Sequence, residues 1–321
     1  MNAVWQVVLV FICVGVGLWL ASFIVEALRR APEAPKRLSW APDIAINYLT
    51  VNGNRLRYVR TGQGPIVFLL HTLRTQLDLF EKVVPGLAKH FAVYALDYPG
   101  HGYSDIPQVR YDAEFFARSV EGFLDVLDLR EVTLCGVSIG GTIALIMAGR
   151  HNARVARVVA VNPYDYAGGR GIARSSLPGW LITAASEIPV LGETVMRLRN
   201  FIIMRAVLQG GVADPRCIPP ELLKEMYEVG NRRGHYRAFL SLLRNAGSWE
   251  AATTIYRNIK VPVCLVGGTR IGPEPASASM IAAYLRARRR PRSKTADTSC
   301  LSIVHGNCRR SSSASLAHKR G

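Results

Sequence analysis

Gly136, Ser138 and Gly140 are spaced for nucleophilic chemistry. They stand where a short apolar run, 132–135, gives way to a second apolar stretch, 142–148. The pattern predicts a strand, a tight turn and a buried helix, with Ser138 at the apex. A nucleophile raised on such a turn holds a strained backbone, and the chain passes so close that positions two residues to either side take only small residues. Gly136 and Gly140 meet that demand. The turn also puts the Ile139 N–H at a helix N-terminus, aimed where charge develops on a carbonyl oxygen under attack. The chemistry implied is acyl transfer through Ser138, which also requires a histidine base and a carboxylate to orient it. The competing reading is a glycine-rich turn with a passive serine.

The elements that must position this serine alternate along the chain. Residues 47–51 and 55–60 flank Asn52-Gly53 and predict a β-hairpin. Apolar runs at 66–70, 91–96, 155–161 and 261–266 predict buried strands. Between them, 112–127 carries Phe115, Phe116, Val120, Phe123, Leu124 and Leu127 at helical spacing. This alternation predicts an α/β fold, a mostly parallel sheet covered on both faces. Ligands bind such sheets beyond the carboxyl ends of the strands, where Ser138 falls.

The elbow at Ser138 resembles that of the α/β-hydrolase family, and a second motif extends the resemblance. Asp97-Tyr-Pro-Gly-His-Gly-Tyr-Ser-Asp105 is similar to the family's Asp-x-x-Gly-x-Gly-x-Ser loop. After the strand at 66–70, His71-Thr72-Leu73 stands where the family has His-Gly and then a backbone oxyanion donor. The resemblance implies that Leu73 and Ile139 supply the two oxyanion N–H groups. Thr72 departs from the family glycine. The resemblance further implies structural roles for His71, His101 and Asp105, and a helical cap at about 165–232 with helical stretches at 180–188, 193–208 and 220–229. Apolar cap residues (Leu181, Ile182, Val195, Met196, Phe201 and Ile202 among them) suggest a small lipophilic ester or acyl substrate. Hydrolysis of a carboxylic ester, esterase-like, with no cofactor and no metal, is the activity implied. A serine at 138 argues against the family branches whose nucleophile is a carboxylate.

Residues 1–25 contain no charged side chain, and 7–25 is nearly continuous apolar sequence. That length predicts one transmembrane helix. Arg29, Arg30, Lys36 and Arg37 follow it and nothing basic precedes it, which predicts a single-pass protein of the cell membrane with its main domain in the cytoplasm. The expected organisation is an anchor over 1–27, a linker over 28–44, an α/β-hydrolase core with its cap over 45–268, and a basic tail over 269–321. Net charge is +17, but eleven Lys/Arg against Glu274 and Asp297 give the tail +9 of it. No basic stripe with interleaved aromatics remains to suggest nucleic-acid binding. The six cysteines form no CxxC pair, which predicts free thiols and no zinc site.

The family pattern stops after Gly267-Gly268, where an acid, a strand and a histidine loop would follow. Back-translation with the frame moved by one base lets Thr269-Arg-Ile-Gly encode Asp-Ala-Asp-Trp, and 296–305 encode Gly-Gly-His-Phe-Leu-Ser-Leu-Asp-Arg-Pro. Both resemble the missing segments, and they predict a frameshift near Gly267-Gly268. The acid would then fall at the slot of Thr269 or Ile271 and the base at that of Thr298. In the printed frame, Asp165 is the fallback acid, His235, His305 and His318 could be bases only by accident of folding, and the alternative function is a non-catalytic membrane-anchored binding protein. The tail would then be basic and disordered.

Overall fold

The computed structural model describes residues 2–164, 171–210, 212 and 214–266. The chain opens with one helix, α1 (Ala3–Ala27), long and apolar enough by length and composition to cross a membrane. Its only buried residue is Ser22.

A seven-stranded sheet follows. Strands β1 (Ile46–Val51) and β2 (Asn54–Thr61) form an antiparallel hairpin. Asn52 and Gly53 both have positive φ, 49° and 78°, the backbone twist that suits a two-residue hairpin turn. Strands β3 (Ile66–Leu70), β4 (Ala92–Leu96), β5 (Val132–Val137), β6 (Val155–Val161) and β7 (Val263–Val266) run parallel to one another. The order is β1-β2-β4-β3-β5-β6-β7. From β3 the chain steps one way to β4 and then returns to place β5 on the other side. The crevice between β3 and β5 is therefore the topological switch point, where a ligand finds room.

Alternation along the central strands sorts the core into two faces. Phe68, Leu70 and Leu134 join Phe116, Phe123 and Ile143 on one face, covered by α3 (Ala113–Val126) and α4 (Ile139–Gly149). Val67, Leu69, Val93 and Ala95 meet Leu77, Phe80 and Val84 on the other, beside the short helix α2 (Val84–Leu87). The Asp112 carboxylate caps α3 by accepting from the Phe115 N–H at 2.9 Å. Every residue of α4 is buried, as its unbroken apolar run requires.

Segment 28–44 has no regular structure, yet it is no free tether. Leu38 is buried with the second face, and Trp40 Nε1 donates to Asp78 Oδ1 at 2.8 Å. Beyond β6 come α5 (Gly171–Ser175), α6 (Leu177–Ser186), α7 (Leu191–Arg197), α8 (Phe201–Gly210) and α9 (Pro220–Val229). The chain then returns to the core through α10 (His235–Arg244) and α11 (Gly247–Ala251). The helical stretch expected over 193–208 is split, because Arg199 Nη1 bonds back to Met196 O at 2.9 Å and closes the last turn of α7.

Candidate active site

Ser138 joins β5 to α4 with φ 55° and ψ −115°, a conformation costly for any residue with a side chain. Three backbone bonds hold it there. Its N–H donates to Val161 O at 2.9 Å, and its carbonyl accepts from Thr142 N–H at 3.1 Å and Tyr164 N–H at 3.2 Å. Thr142 Oγ1 also accepts from Tyr164 N–H at 2.8 Å, tying the turn after β6 to the elbow. The role of Thr142 was not legible in the sequence; a threonine within an otherwise apolar buried helix was its only signal.

The glycines are required by contact. A Cβ on Gly136 would overlap the Gly140 carbonyl and stand 2.5 Å from Gly141 N. A Cβ on Gly140 would overlap Leu70 O and stand 2.9 Å from His71 O. These are backbone neighbours that cannot swing aside, so the elbow presses against the end of β3.

The pairing of Leu70 with Gly136 brings the β3 exit loop beside Ser138. In that loop His71 is fully buried and has both ring nitrogens engaged. Nδ1 donates to Thr72 O at 2.8 Å, and Nε2 accepts from Tyr98 N–H at 3.3 Å. Burial and the neighbouring His101 hold its pKa well below the ordinary value, so it stays neutral and serves as a brace. The loop keeps Leu73 buried despite threonine at 72. Among the described residues, neither Leu73 N–H nor Ile139 N–H meets a protein acceptor, and Ser138 Oγ has no hydrogen-bond partner.

The loop after β4 is locked from below. Asp97 accepts from Leu77 N–H at 2.7 Å and Tyr103 N–H at 2.8 Å, and faces the buried Arg57 guanidinium at 3.2 Å. Arg57 also bonds Asp78 at 3.1 Å, so one cation braces the loops leaving β3 and β4. Burial opposes the Arg57 charge, but Asp97 and Asp78 more than offset it and raise its pKa. Asp105 Oδ2 accepts from Arg55 N–H at 2.7 Å, a structural bond.

No described histidine partners the serine. His101 is buried, with its pKa pushed down to about 4 by burial. His235 is buried at the start of α10, with its pKa lowered by burial and by Arg74. His90 precedes β4 and His151 follows α4, both at the amino ends of the parallel strands, opposite the carboxyl ends where Ser138 sits. Asp165 lies outside the described residues, as do Thr269, Ile271, Thr298, His305 and His318. Among the described residues no cluster of three His, Cys, Asp or Glu side chains is set to hold a metal ion. The apolar cap residues divide in an unexpected way: Met196 and Met204 are buried, whereas Leu181, Ile202 and Ile203 are exposed.

A strained serine between a central parallel strand and a buried helix, at the switch point of a sheet carrying a helical insertion, defines a hydrolase of the α/β class. The comparisons name the family. A profile of the alpha/beta hydrolase fold matches residues 65–191. The uncharacterized protein Rv2715 of Mycobacterium tuberculosis is 33% identical over 254 residues, spanning 74% of this chain and 72% of that protein. A 2-hydroxymuconate semialdehyde hydrolase of Pseudomonas sp. is 32% identical over 161 residues, 50% of this chain and 51% of that one. Among solved structures, an enol-lactonase from Burkholderia xenovorans superposes with a TM-score of 0.59 at 26% identity, covering 74% of this chain and 87% of the other. The chain belongs to the alpha/beta hydrolase fold family.

Proposed function

We propose that the protein is a membrane-anchored serine hydrolase that cleaves a carboxylic ester or related acyl compound. Ser138 Oγ attacks the acyl carbon and its proton passes to a histidine base. The N–H groups of Leu73 and Ile139 hold the oxyanion. The alcohol leaves with the proton, and water then releases the acid from the acyl-enzyme. The base and its orienting acid fall at the shifted-frame slots of Thr298 and of Thr269 or Ile271, with Asp165 as the fallback acid. The observation that carries this reading is the backbone of Ser138, at φ 55° and ψ −115° and clamped by three hydrogen bonds. A passive serine has no use for that strain. The enol-lactonase adds support, since a lactone is a cyclic ester. Helix α1 would anchor the chain in the cell membrane, with Arg29, Arg30, Lys36 and Arg37 on the cytoplasmic side.

The second reading is a membrane-anchored binding protein with this fold and no activity. It is favoured by the lack of any described histidine against Ser138. A fluorophosphonate probe separates the two. Labelling of the full chain that disappears in Ser138→Ala identifies an activated nucleophile. A chain that stays unlabelled while folded is the binding protein.

A further inference from the structure

The cap leaves apolar surface open along one helical stripe. Leu177, Trp180 and Leu181 of α6 recur at helical spacing, Ile188 follows two residues beyond its end, and each is more than half exposed. Val190 at the turn into α7 and Ile202 on α8 extend the exposed surface. Single apolar residues scatter over any protein surface, but a contiguous run of this kind marks a contact with something apolar.

What adjoins the stripe says what that something is. Helix α7 packs against both α6 and α1. Arg197 Nε donates to Ser22 Oγ at 2.9 Å, and its guanidinium lies 3.9 Å from the Phe23 ring centroid. Arg199 pairs with Glu26 at 2.6 Å. Arg29 donates to the carbonyls of Arg197 and Arg199 and to Asn231 Oδ1. The final turns of α1 are thus fastened to the cap, while every residue of 3–21 is exposed. At about 1.5 Å per residue, that free part is ~28 Å long, against ~30 Å of bilayer hydrocarbon. A spanning helix fastened at this point holds the cap at the leaflet boundary. Exposed Arg30, Lys36 and Arg37 follow at the level of the headgroups.

We propose that the cap is seated on the bilayer, with the stripe on α6 and Ile202 on α8 dipping into the acyl boundary. Substrate is then an amphiphilic lipid ester that reaches Ser138 from that leaflet. This rests on the membrane-anchor reading above and deepens it.

Photo-crosslinking in phospholipid vesicles tests it, using the full chain with p-benzoylphenylalanine at one site at a time. Trp180 and Ile202 probe the cap, and Phe11 probes α1. Val126, exposed at the end of α3 where the chain approaches β5, is the reference at the amino ends of the parallel strands, away from Ser138. The expected result is lipid adducts at Phe11, Trp180 and Ile202, and none at Val126. Adducts at Phe11 without adducts at Trp180 and Ile202 overturn the seating and leave the anchor. Chain-to-chain adducts at Trp180 in place of lipid ones make the stripe an interface between copies and overturn it as well. No lipid adduct at Phe11 removes the anchor and the seating together.

Discussion

Arg57 Nη1 lies 3.2 Å from Asp97 Oδ2, with both side chains fully buried, and the same nitrogen reaches Asp78 at 3.1 Å. The pair ties together the loops leaving β3 and β4, the first of which runs beside the serine. Removing one partner strands the other's charge in the interior. Arg57→Met should therefore destabilise the fold by roughly 3–5 kcal/mol, the cost of breaking a buried pair. Denaturant unfolding measures this, and a loss under about 1 kcal/mol would show that water reaches the carboxylates.

Strain at Ser138 predicts opposite responses to two small substitutions. Glycine accepts φ 55° without penalty, so Ser138→Gly should raise stability by roughly 1 kcal/mol, strain relief less the added chain entropy. Ser138→Ala keeps a Cβ and should leave stability nearly unchanged. Both should abolish fluorophosphonate labelling. Equal stability of the two variants would mean that the elbow is relaxed.

Gly140 makes the complementary case. A methyl group there overlaps Leu70 O, and neither backbone can yield without breaking the pairing of Leu70 with Gly136. Gly140→Ala should cost about 3 kcal/mol, at the upper end for overpacking. Labelling of Ser138 should fall with it, read in the same unfolding and probe experiments.

Glu225 on α9 accepts from Gln76 Nε2 at 2.8 Å and faces the Asp78 and Asp97 side of the Arg57 cluster. Burial, followed by the Asp78 charge, pushes its pKa from 4.5 up to about 7. A carboxyl raised in the folded state binds more protons folded than unfolded. Its contribution is complete below pH 4.5 and is lost as pH rises through about 7. The cap should therefore loosen between pH 5 and 8, read as faster proteolysis or a lower unfolding midpoint. Glu225→Gln should flatten that dependence, and an unchanged slope in the variant would assign the effect elsewhere.

Docking of α1 predicts a further effect away from the serine. Arg199 pairs with Glu26 and donates to Gly230 O at 2.9 Å, joining the helix to the loop after α9. Arg199→Ala should cost roughly 1–3 kcal/mol, less than a fully buried pair because Glu26 keeps some exposure. Trypsin cleavage among Arg30, Lys36 and Arg37 should accelerate as the joint loosens. Unchanged cleavage would show that Arg29 and Arg197 hold the joint without Arg199.

Much of the fold was legible because its signals are local. The hairpin at Asn52-Gly53, the buried strands and the capped helix α3 each follow from a short pattern, and so does the serine between two glycines. The structural role of His71 came from a family likeness and has its reason in two ring bonds made to backbone groups. Arg57, Glu225 and Thr142 gave little warning. Their partners lie 21 to 149 residues away, and no periodicity marks them. The chain over 28–44 read as a linker for the same reason. Prolines and charge signal irregular backbone, but they do not reveal that Leu38 and Trp40 reach the core.

The amino-acid sequence by itself determined the strand-serine-helix turn, because close backbone contact and positive φ restrict which residues can stand there. It also determined a helix at the N-terminus too apolar to expose to water without cost. Only the tertiary structure decided how that helix meets the rest of the chain. Apolar content cannot say whether Leu181 and Ile202 turn inward to a pocket or outward. That choice was made by how α6 and α8 pack on their neighbours, just as the place of α1 was set where Arg197, Arg199 and Arg29 found their partners, since a buried cation must be satisfied wherever the fold supplies an acceptor.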